Sequence, residues 1–227
     1  MREIIFDTET TGLDPARGDR MVEIGCIEMV NRVATGSTFH AYFNPDMAMP
    51  AEAEAVHGLS DSFLADKPRF HERAEELLAF LSDAPLVAHN AGFDFKFLNA
   101  ELDICGLTAI STERMVDTIN IAKARHPGAK LSLDALCTRY GIDRSHRTKH
   151  GALLDAELLA QLYVELNGGR QIGLELTAVE ETAIQTEEIT IRRERSFRPP
   201  RSHEPSADEL ARHAEFLQSL KSPLWNN

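Results

Sequence analysis

The sequence predicts an α/β domain that contains a mixed β-sheet with helices on both faces, followed by a flexible C-terminal tail that ends in a short helix. Three observations support this fold class. Strand-like apolar segments come first and are joined by turn-rich loops, which is typical of an antiparallel meander. From about residue 85 onward, short apolar segments alternate with helical patterns, which favours parallel strands packed by helices. Beyond residue 169 the apolar periodicity is lost, and it returns only at about residue 206.

The first three strands are predicted at 2–8, 20–29 and 37–43, where apolar residues run together or alternate with polar ones. Turn residues fill the intervening segments 12–19 and 31–36. Short loops of this kind join antiparallel neighbours.

Helical spacing and capping residues predict the elements that follow. Ala74, Leu77 and Leu81 recur on one helical face. Ser132 is a favourable N-cap, and Gly141 is a typical helix end. On these grounds we expect helices at 51–56, 70–82, 92–102, 132–140 and 151–166, and short strands at 85–90 and 115–118.

The C-terminal part is predicted to be a linker and a docking helix. We divide the chain into a folded domain at 1–169, a flexible linker at 170–205 and a C-terminal segment at 206–227. Ser206 and Glu209 have the spacing of a capping box. The apolar face of this helix either docks on the chain's own domain or binds a partner, and the long linker favours the partner.

The net charge of −12 at pH 7 restricts the partners of this chain of 227 residues. A protein that grips a nucleic-acid duplex over a broad face normally has a basic surface. Either the partner is not nucleic acid, or the contact with nucleic acid is small and bridged by metal ions.

The cysteines and the apolar segments indicate the compartment. Cys26, Cys105 and Cys137 form no Cys-x-x-Cys pair, and their odd number argues against a disulfide framework. We expect buried free thiols in a reducing cytoplasm. The chain begins directly with a strand and has no apolar run long enough to cross a bilayer, so we expect neither a signal peptide nor a membrane partner.

Two carboxylates end the first predicted strand. Residues two apart in a strand point to the same face, so Asp7 and Glu9 project side by side. Adjacent buried like charges are costly, and a divalent cation such as Mg²⁺ or Mn²⁺ would relieve the repulsion. The alternative is two solvated acids at a strand end.

Two later acids lie in similar settings. Asp94 follows a predicted strand and a turn, where it is either part of a site or an ordinary acid at a helix N-terminus. Asp155 lies among apolar residues of a helix, so we expect it to have a cationic partner. His150, about one turn earlier, is that partner or a solvated member of a basic loop.

These residues form three motifs in a fixed order. They are Asp-x-Glu-Thr-Thr-Gly at 7–12, His-Asn-x-x-Phe-Asp at 89–94 and His-x-x-x-x-Asp at 150–155. The pattern resembles the DEDD superfamily of 3′→5′ exonucleases, and the histidine five residues before the last Asp resembles its histidine branch. The resemblance extends over about residues 1–167.

Within that branch the chain is most similar to the epsilon family of proofreading subunits of bacterial DNA polymerase III. The similarity rests on the Val56-His57-Gly58 neighbourhood, on Gly168-Gly169 at the end of the domain and on the C-terminal tail. It implies a ribonuclease H-like fold and a metal-dependent proofreading exonuclease that releases nucleoside 5′-monophosphates from a single-stranded or frayed 3′ end of DNA.

The resemblance also implies a role for each motif residue. Two divalent ions, Mg²⁺ or Mn²⁺, would be held by Asp7, Glu9, Asp94 and Asp155, with Asp7 as the bridging ligand. The metal ligands Asp7, Glu9 and Asp155 would also contact the substrate. His150 would be the general base, and its loop position would let it swing in when substrate binds.

Four further residues are implied to contact the terminal nucleotide. Glu52 would accept a hydrogen bond from the free 3′-OH, and His57 would lie beside it. Val56 and Phe93 would wedge or stack the terminal base. For Val56 and Phe93, packing in the core is the alternative.

The resemblance and the residue patterns together predict three kinds of partner. The C-terminal segment 206–227 would bind the alpha (catalytic) subunit of DNA polymerase III in the bacterial cytosol, at the replication fork. Residues 171–176, from Gln171 to Leu176, would form a sliding-clamp-binding peptide, with the start of the linker as the alternative. Basic residues at 144, 147 and 149 would meet phosphates of the substrate strand.

Two other functions stay open at this point. An RNA-trimming exonuclease of the same superfamily would have the same motifs, although it would lack the long linker with a terminal helix. A catalytically silent scaffold that joins clamp and polymerase would keep the tail without needing the acids.

Overall fold

The computed structural model describes residues 1–145, 149–169 and 205–219. Five strands form one sheet in the order β3-β2-β1-β4-β5. The first three strands are antiparallel neighbours, whereas β4 pairs parallel with both β1 and β5. The predicted mixed sheet is therefore confirmed. The strands are β1 (Arg2–Thr10), β2 (Met21–Val30), β3 (Val33–Tyr42), β4 (Leu86–Ala88) and β5 (Met115–Asp117).

The α-helices account for most of the remaining described chain, together with 3₁₀ turns at Pro15–Arg17 and Thr112–Arg114. The sequence predicts neither α2, which has only one turn, nor α5, whose apolar residues do not line one face. Helix α5 is started instead by Asp117, whose side chain accepts a hydrogen bond from the backbone N–H of Ile119. The helices are α1 (Ala51–His57), α2 (Asp61–Leu64), α3 (Phe70–Leu81), α4 (Ala91–Ile104), α5 (Thr118–Arg125), α6 (Leu133–Tyr140), α7 (Ala152–Leu166) and α8 (Ala207–Ser219).

Strand β3 begins four residues earlier than the sequence predicts. The predicted turn at 31–36 is wrong, because the turn consists only of Asn31 and Arg32, both with positive φ. Such a two-residue connection matches the twist of an antiparallel hairpin. The first half of β3 is exposed at the edge of the sheet, so it lacks the apolar alternation that would have marked it as a strand.

The two faces of the sheet are buried by different helices. Ile4 and Phe6 belong to a core that includes residues of α3 and α4. Ile5, between them, belongs to a second core with residues of α7. Because side chains alternate along a strand, Asp7 and Glu9 lie on the α7 side of β1 and Thr8 lies on the α4 side.

Helix α8 belongs to a separate unit of the chain. The hydroxyl of Ser206 accepts from the backbone N–H of Glu209 at 3.3 Å, and its own N–H donates to the Glu209 carboxylate at 2.8 Å. The expected capping box is therefore present. Leu210 and Phe216 are more than half exposed on this helix.

Two further expectations concern cysteines and membranes. Cys26 and Cys137 are buried free thiols as expected, whereas Cys105 is only half-buried. Within the described ranges, no helix combines the length and the apolar character that spanning a bilayer requires. The predicted linker and the clamp peptide at 171–176 lie outside the described residues, and so does the end of the tail beyond Ser219.

Candidate active site

The site begins where β1 reaches the edge of the sheet. The pairing of β1 with β2 is regular up to Glu9, opposite Glu23, and then shifts so that Thr10 lies opposite Met21. A bulge of this kind increases the local twist and changes the direction of nearby side chains. Asp7 and Glu9 project from this irregular end toward the face that α7 covers.

Helix α4 brings Asp94 to the same edge. Strands β1 and β4 are parallel, so their carboxyl ends meet, and α4 starts directly after β4. Asn90 makes this tight connection in the left-handed region, with φ of 68°. Asp94 is 3% exposed, and its Oδ1 accepts a hydrogen bond of 2.7 Å from the hydroxyl of Thr8. The strand residue between Asp7 and Glu9 therefore holds the carboxylate of α4 in place.

Helix α7 brings Asp155, and a glycine makes its close approach possible. Gly25 lies opposite Asp7 in the β1–β2 register. A Cβ atom built on Gly25 would lie 2.3 Å from the backbone N and Cα of Leu153. The first turn of α7 thus packs directly on the backbone of β2, which places the 3% exposed Asp155 beside the end of β1.

His150 lies in the cleft next to Asp155. Its Nδ1 is 3.2 Å from Asp155 Oδ2, so these two motif residues are in direct contact. The His150 side chain is 48% exposed and lines the cleft.

All four acids and His150 line one cleft of about 490 Å³. Burial raises the pKa of Asp7 well above its ordinary value, and repulsion from Asp94, Glu9 and Asp155 raises it further. Burial also raises the pKa of Asp94 to about 7, although the hydrogen bond from Thr8 acts in the opposite direction. The cleft therefore brings four carboxylates close together, at a cost that a bound cation would reduce.

The donor set fits hard divalent cations. Glu9, His150 and Asp155 each offer one ligand atom, and these atoms lie within 4.8 Å of one another. Carboxylate oxygens are the ligands that Mg²⁺ and Mn²⁺ prefer. A bound cation would also remove the repulsion that raises the pKa of Asp7.

A second, smaller cleft of about 340 Å³ adjoins the first and shares Thr8, Glu9 and Phe93 with it. Glu52, Val56 and His57 of α1 line it. Val56 is 50% exposed, which contradicts the alternative that it packs in the core. Phe93 is partly buried, and its ring packs on that of Phe97 with centroids 4.9 Å apart.

His57 is held rigidly in this second cleft. It is 6% exposed, and its Nδ1 accepts a hydrogen bond of 3.0 Å from the backbone N–H of Leu59. Burial lowers the pKa of His57. Because Nδ1 accepts from the Leu59 N–H, the neutral ring carries its proton on Nε2.

The basic loop is only partly described. Arg144 forms an ion pair with Asp134 at 2.7 Å. Lys149 lies over Gly58, where a Cβ atom would be 2.6 Å from Lys149 Cδ. Arg147 lies outside the described residues.

Three further polar residues lie near the site: His89, which belongs to the second motif but was given no role, and Asp117 and Glu23, which were not singled out from the sequence. His89 lines the cleft, with Nε2 2.7 Å from the Leu131 carbonyl oxygen. Asp117 accepts from the backbone N–H of Asn90 at 3.2 Å and so fixes the turn before α4. Glu23 lies opposite Glu9. The sequence signal for Glu23 is that it is an acid within a strand of mostly apolar residues.

The chain is similar to proteins of one enzyme family. The exonuclease family model, of RNase T type, matches residues 4–163. The DNA polymerase III subunit epsilon of Rickettsia felis is 47% identical over 225 residues, covering 97% of each chain. The DNA polymerase III subunit epsilon of Escherichia coli is 43% identical over 199 residues, covering 85% of this chain and 82% of the relative.

Solved structures support the same fold. Exonuclease X in complex with 5′-overhanging duplex DNA superposes with a TM-score of 0.57 at 24% identity, covering 73% of this chain and 90% of the other. Escherichia coli exonuclease I in complex with a dT13 oligonucleotide gives a TM-score of 0.65 at 17% identity, covering 73% and 41%. At these identities the likeness concerns the fold alone.

Proposed function

The chain belongs to the exonuclease family and, within it, to the family of DNA polymerase III epsilon subunits, and on that premise we propose that it is the 3′→5′ proofreading exonuclease of a replicative polymerase. It hydrolyses the last phosphodiester bond of a mispaired 3′ end and releases a nucleoside 5′-monophosphate. The substrate is a single-stranded or frayed DNA end.

One observation supports this proposal above the others. Carboxylates from three separate elements, β1, α4 and α7, line a single cleft beside a histidine. Collecting buried acids in this way is costly for a fold, and bound cations would offset that cost. The cluster therefore favours an enzyme over a silent scaffold.

We assign Asp7, Glu9, Asp94 and Asp155 as ligands of two divalent ions, Mg²⁺ or Mn²⁺. When bound, these ions neutralise charge on the scissile phosphate and favour ionisation of the attacking water. The chain's own residues fix the arrangement: Thr8 orients Asp94 through its 2.7 Å hydrogen bond, and the bulge after Glu9 directs that side chain.

His150 is assigned as the general base. Its contact with Asp155 orients the imidazole through Nδ1, and we assign Nε2 as the atom that accepts a proton from water. The carboxylate also stabilises the imidazolium that forms. The 48% exposure of the side chain lets the proton pass on to solvent.

The smaller cleft selects a chain end. We assign Glu52 to the terminal 3′-OH, His57 to the terminal nucleotide, and Val56 and Phe93 to the faces of the terminal base. Val56 supports this assignment because an aliphatic side chain that is 50% exposed at a cleft rim is available to a ligand. We propose that Arg144, Arg147 and Lys149 contact the phosphates that follow.

The tail is proposed to tether this site to its substrate. Helix α8 presents Leu210 and Phe216 for the alpha subunit of the polymerase, and residues 171–176 are proposed to contact the sliding clamp. Tethering compensates for a domain whose acidic surface gives weak affinity for DNA on its own. We place the complex in the bacterial cytosol, at the replication fork.

The proposal is tested by digestion of a primer with a mispaired 3′ end, in the presence of Mg²⁺ or of EDTA. We expect metal-dependent loss of the terminal nucleotide as a 5′-monophosphate, and little loss with Asp155→Asn. An RNA oligonucleotide of equal length is the competing substrate, and faster trimming of RNA would overturn the DNA assignment.

A further inference from the structure

Glu23 is a buried carboxylate that lies beside the proposed metal ligands without being one of them. It is 2% exposed and lies directly opposite Glu9 in the register of β1 with β2. Directly opposed residues of an antiparallel pair share one face, so both carboxylates lie on the α7 side of the sheet. Two like charges in these positions destabilise a sheet.

Residues of β3 hold Glu23 in place. His40 Nε2 donates a hydrogen bond of 2.7 Å to Glu23 Oε1. Tyr42 lies opposite Glu23 in the β2–β3 register, and its pKa is raised by burial and by the Glu23 charge. His40 is 31% exposed, so the pair connects the buried acid to the protein surface.

Glu23 lies close to two of the proposed ligands. It is opposite Glu9, and Asp7 is opposite Gly25, two residues further along β2, so Glu23 and Asp7 are diagonal neighbours on one face of the sheet. Gly25 of β2 lies next to both residues and has no side chain that would separate Glu23 from Asp7. A buried carboxylate beside like charges is costly, and a neutral glutamine at this position would avoid that cost while still accepting from His40.

We propose that Glu23 is a positioning residue that strengthens the attraction of the cleft for divalent cations through its charge, while His40 holds its carboxylate away from the ligand set. This inference rests on the proposed function, because it presumes cations in the cleft. The competing interpretation is that Glu23 and His40 only tie β2 to β3.

The experiment is a titration of the full chain with Mn²⁺, followed by electron paramagnetic resonance of the free ion. Glu23→Gln removes the charge but keeps an oxygen that accepts from His40. We expect it to weaken Mn²⁺ binding about 5- to 10-fold, as for the loss of one charge ~5–10 Å from a divalent ion. Glu28→Gln is the matched control, since Glu28 lies on the same strand and pairs with Arg2 away from the cleft. It should leave binding unchanged.

A second variant separates the two interpretations. His40→Gln removes the partner but leaves the charge of Glu23, so Mn²⁺ affinity should stay equal or increase. A purely structural tie predicts that both variants lose affinity together and melt earlier than wild type in EDTA. Equal Mn²⁺ affinity of wild type and Glu23→Gln would overturn the inference. If Glu23→Gln does not fold, the His40→Gln variant decides the question. A lower Mn²⁺ affinity than wild type would overturn the inference, and an equal or higher affinity would support it. Absence of Mn²⁺ binding by the wild type would instead defeat the proposed function.

Discussion

Gly25→Ala tests whether the close approach of α7 to β2 positions the catalytic cleft. The added Cβ would lie 2.3 Å from two backbone atoms of Leu153 and 2.5 Å from the carbonyl carbon of Ala152. Ordinary contacts begin at about 3.4 Å, so the first turn of α7 must retreat by about 1 Å. Backbone atoms cannot move aside as a flexible side chain would.

The expected cost of Gly25→Ala follows from this displacement. Overpacking of this size destabilises a protein by about 1–3 kcal/mol, which lowers the melting temperature by several degrees. Asp155 moves with α7, and a misplacement of about 1 Å at an active site can lower the rate about 100-fold. We therefore expect the Gly25→Ala protein to stay folded, with a melting temperature lowered by only several degrees but a turnover lowered about 100-fold.

The assay is release of mononucleotides from a single-stranded oligonucleotide, measured beside thermal unfolding. Gly92→Ala is the matched control, because a Cβ there meets nothing within 4 Å and alanine favours the helix. It should retain wild-type turnover. Wild-type turnover and stability for Gly25→Ala would refute the argument that this glycine determines the position of α7.

Three further predictions concern the base, the acids and the tail. His150→Ala should lower turnover about 10²–10⁴-fold with Mn²⁺ affinity almost unchanged, and equal losses of both in turnover and titration experiments would make His150 a ligand. The pKa of Asp94 is about 7 when folded and about 3.8 ordinarily, so between these values the unfolded state binds fewer protons and the stability of the metal-free protein falls as pH rises. Asp94→Asn should therefore raise the melting temperature in EDTA at pH 8, and its melting temperature should fall less between pH 6 and pH 8 than that of the wild type. An unchanged pH dependence of the melting temperature would show that ionisation of Asp94 does not destabilise the fold. The double variant Leu210→Asp and Phe216→Asp should stop co-elution with the polymerase but leave oligonucleotide hydrolysis within about twofold, and continued co-elution would exclude α8 as the contact.

The sequence was sufficient to predict the parts of the fold whose signals are local. The carboxylates of β1 follow a continuous apolar run, and the N-cap of α6 precedes a clear helical pattern. Local sequence signals did not predict α5, which has a side-chain cap but no apolar periodicity. They also did not predict the first half of β3, which is exposed at the edge of the sheet. Both depend on neighbours that a linear pattern does not show.

The convergence of the site required the family resemblance as well as the residues. Alternation along β1 predicts that Asp7 and Glu9 share a face, but nothing local in the sequence brings Asp94 and Asp155 to them. The structure brings them into one cleft, while their individual roles stay predictions. Gly25 and Glu23 were missed because their significance arises from strand register, which sets Gly25 opposite Asp7 and Glu23 opposite Glu9.

The most direct measurement is anomalous diffraction from a crystal of the protein soaked in Mn²⁺. Four acids from three distant parts of the chain are proposed to bind the same divalent ions. We therefore expect two anomalous peaks in the cleft between Asp7, Glu9, Asp94 and Asp155. Peaks that lie only elsewhere on the protein, with those carboxylates making no contact to manganese, would contradict the account.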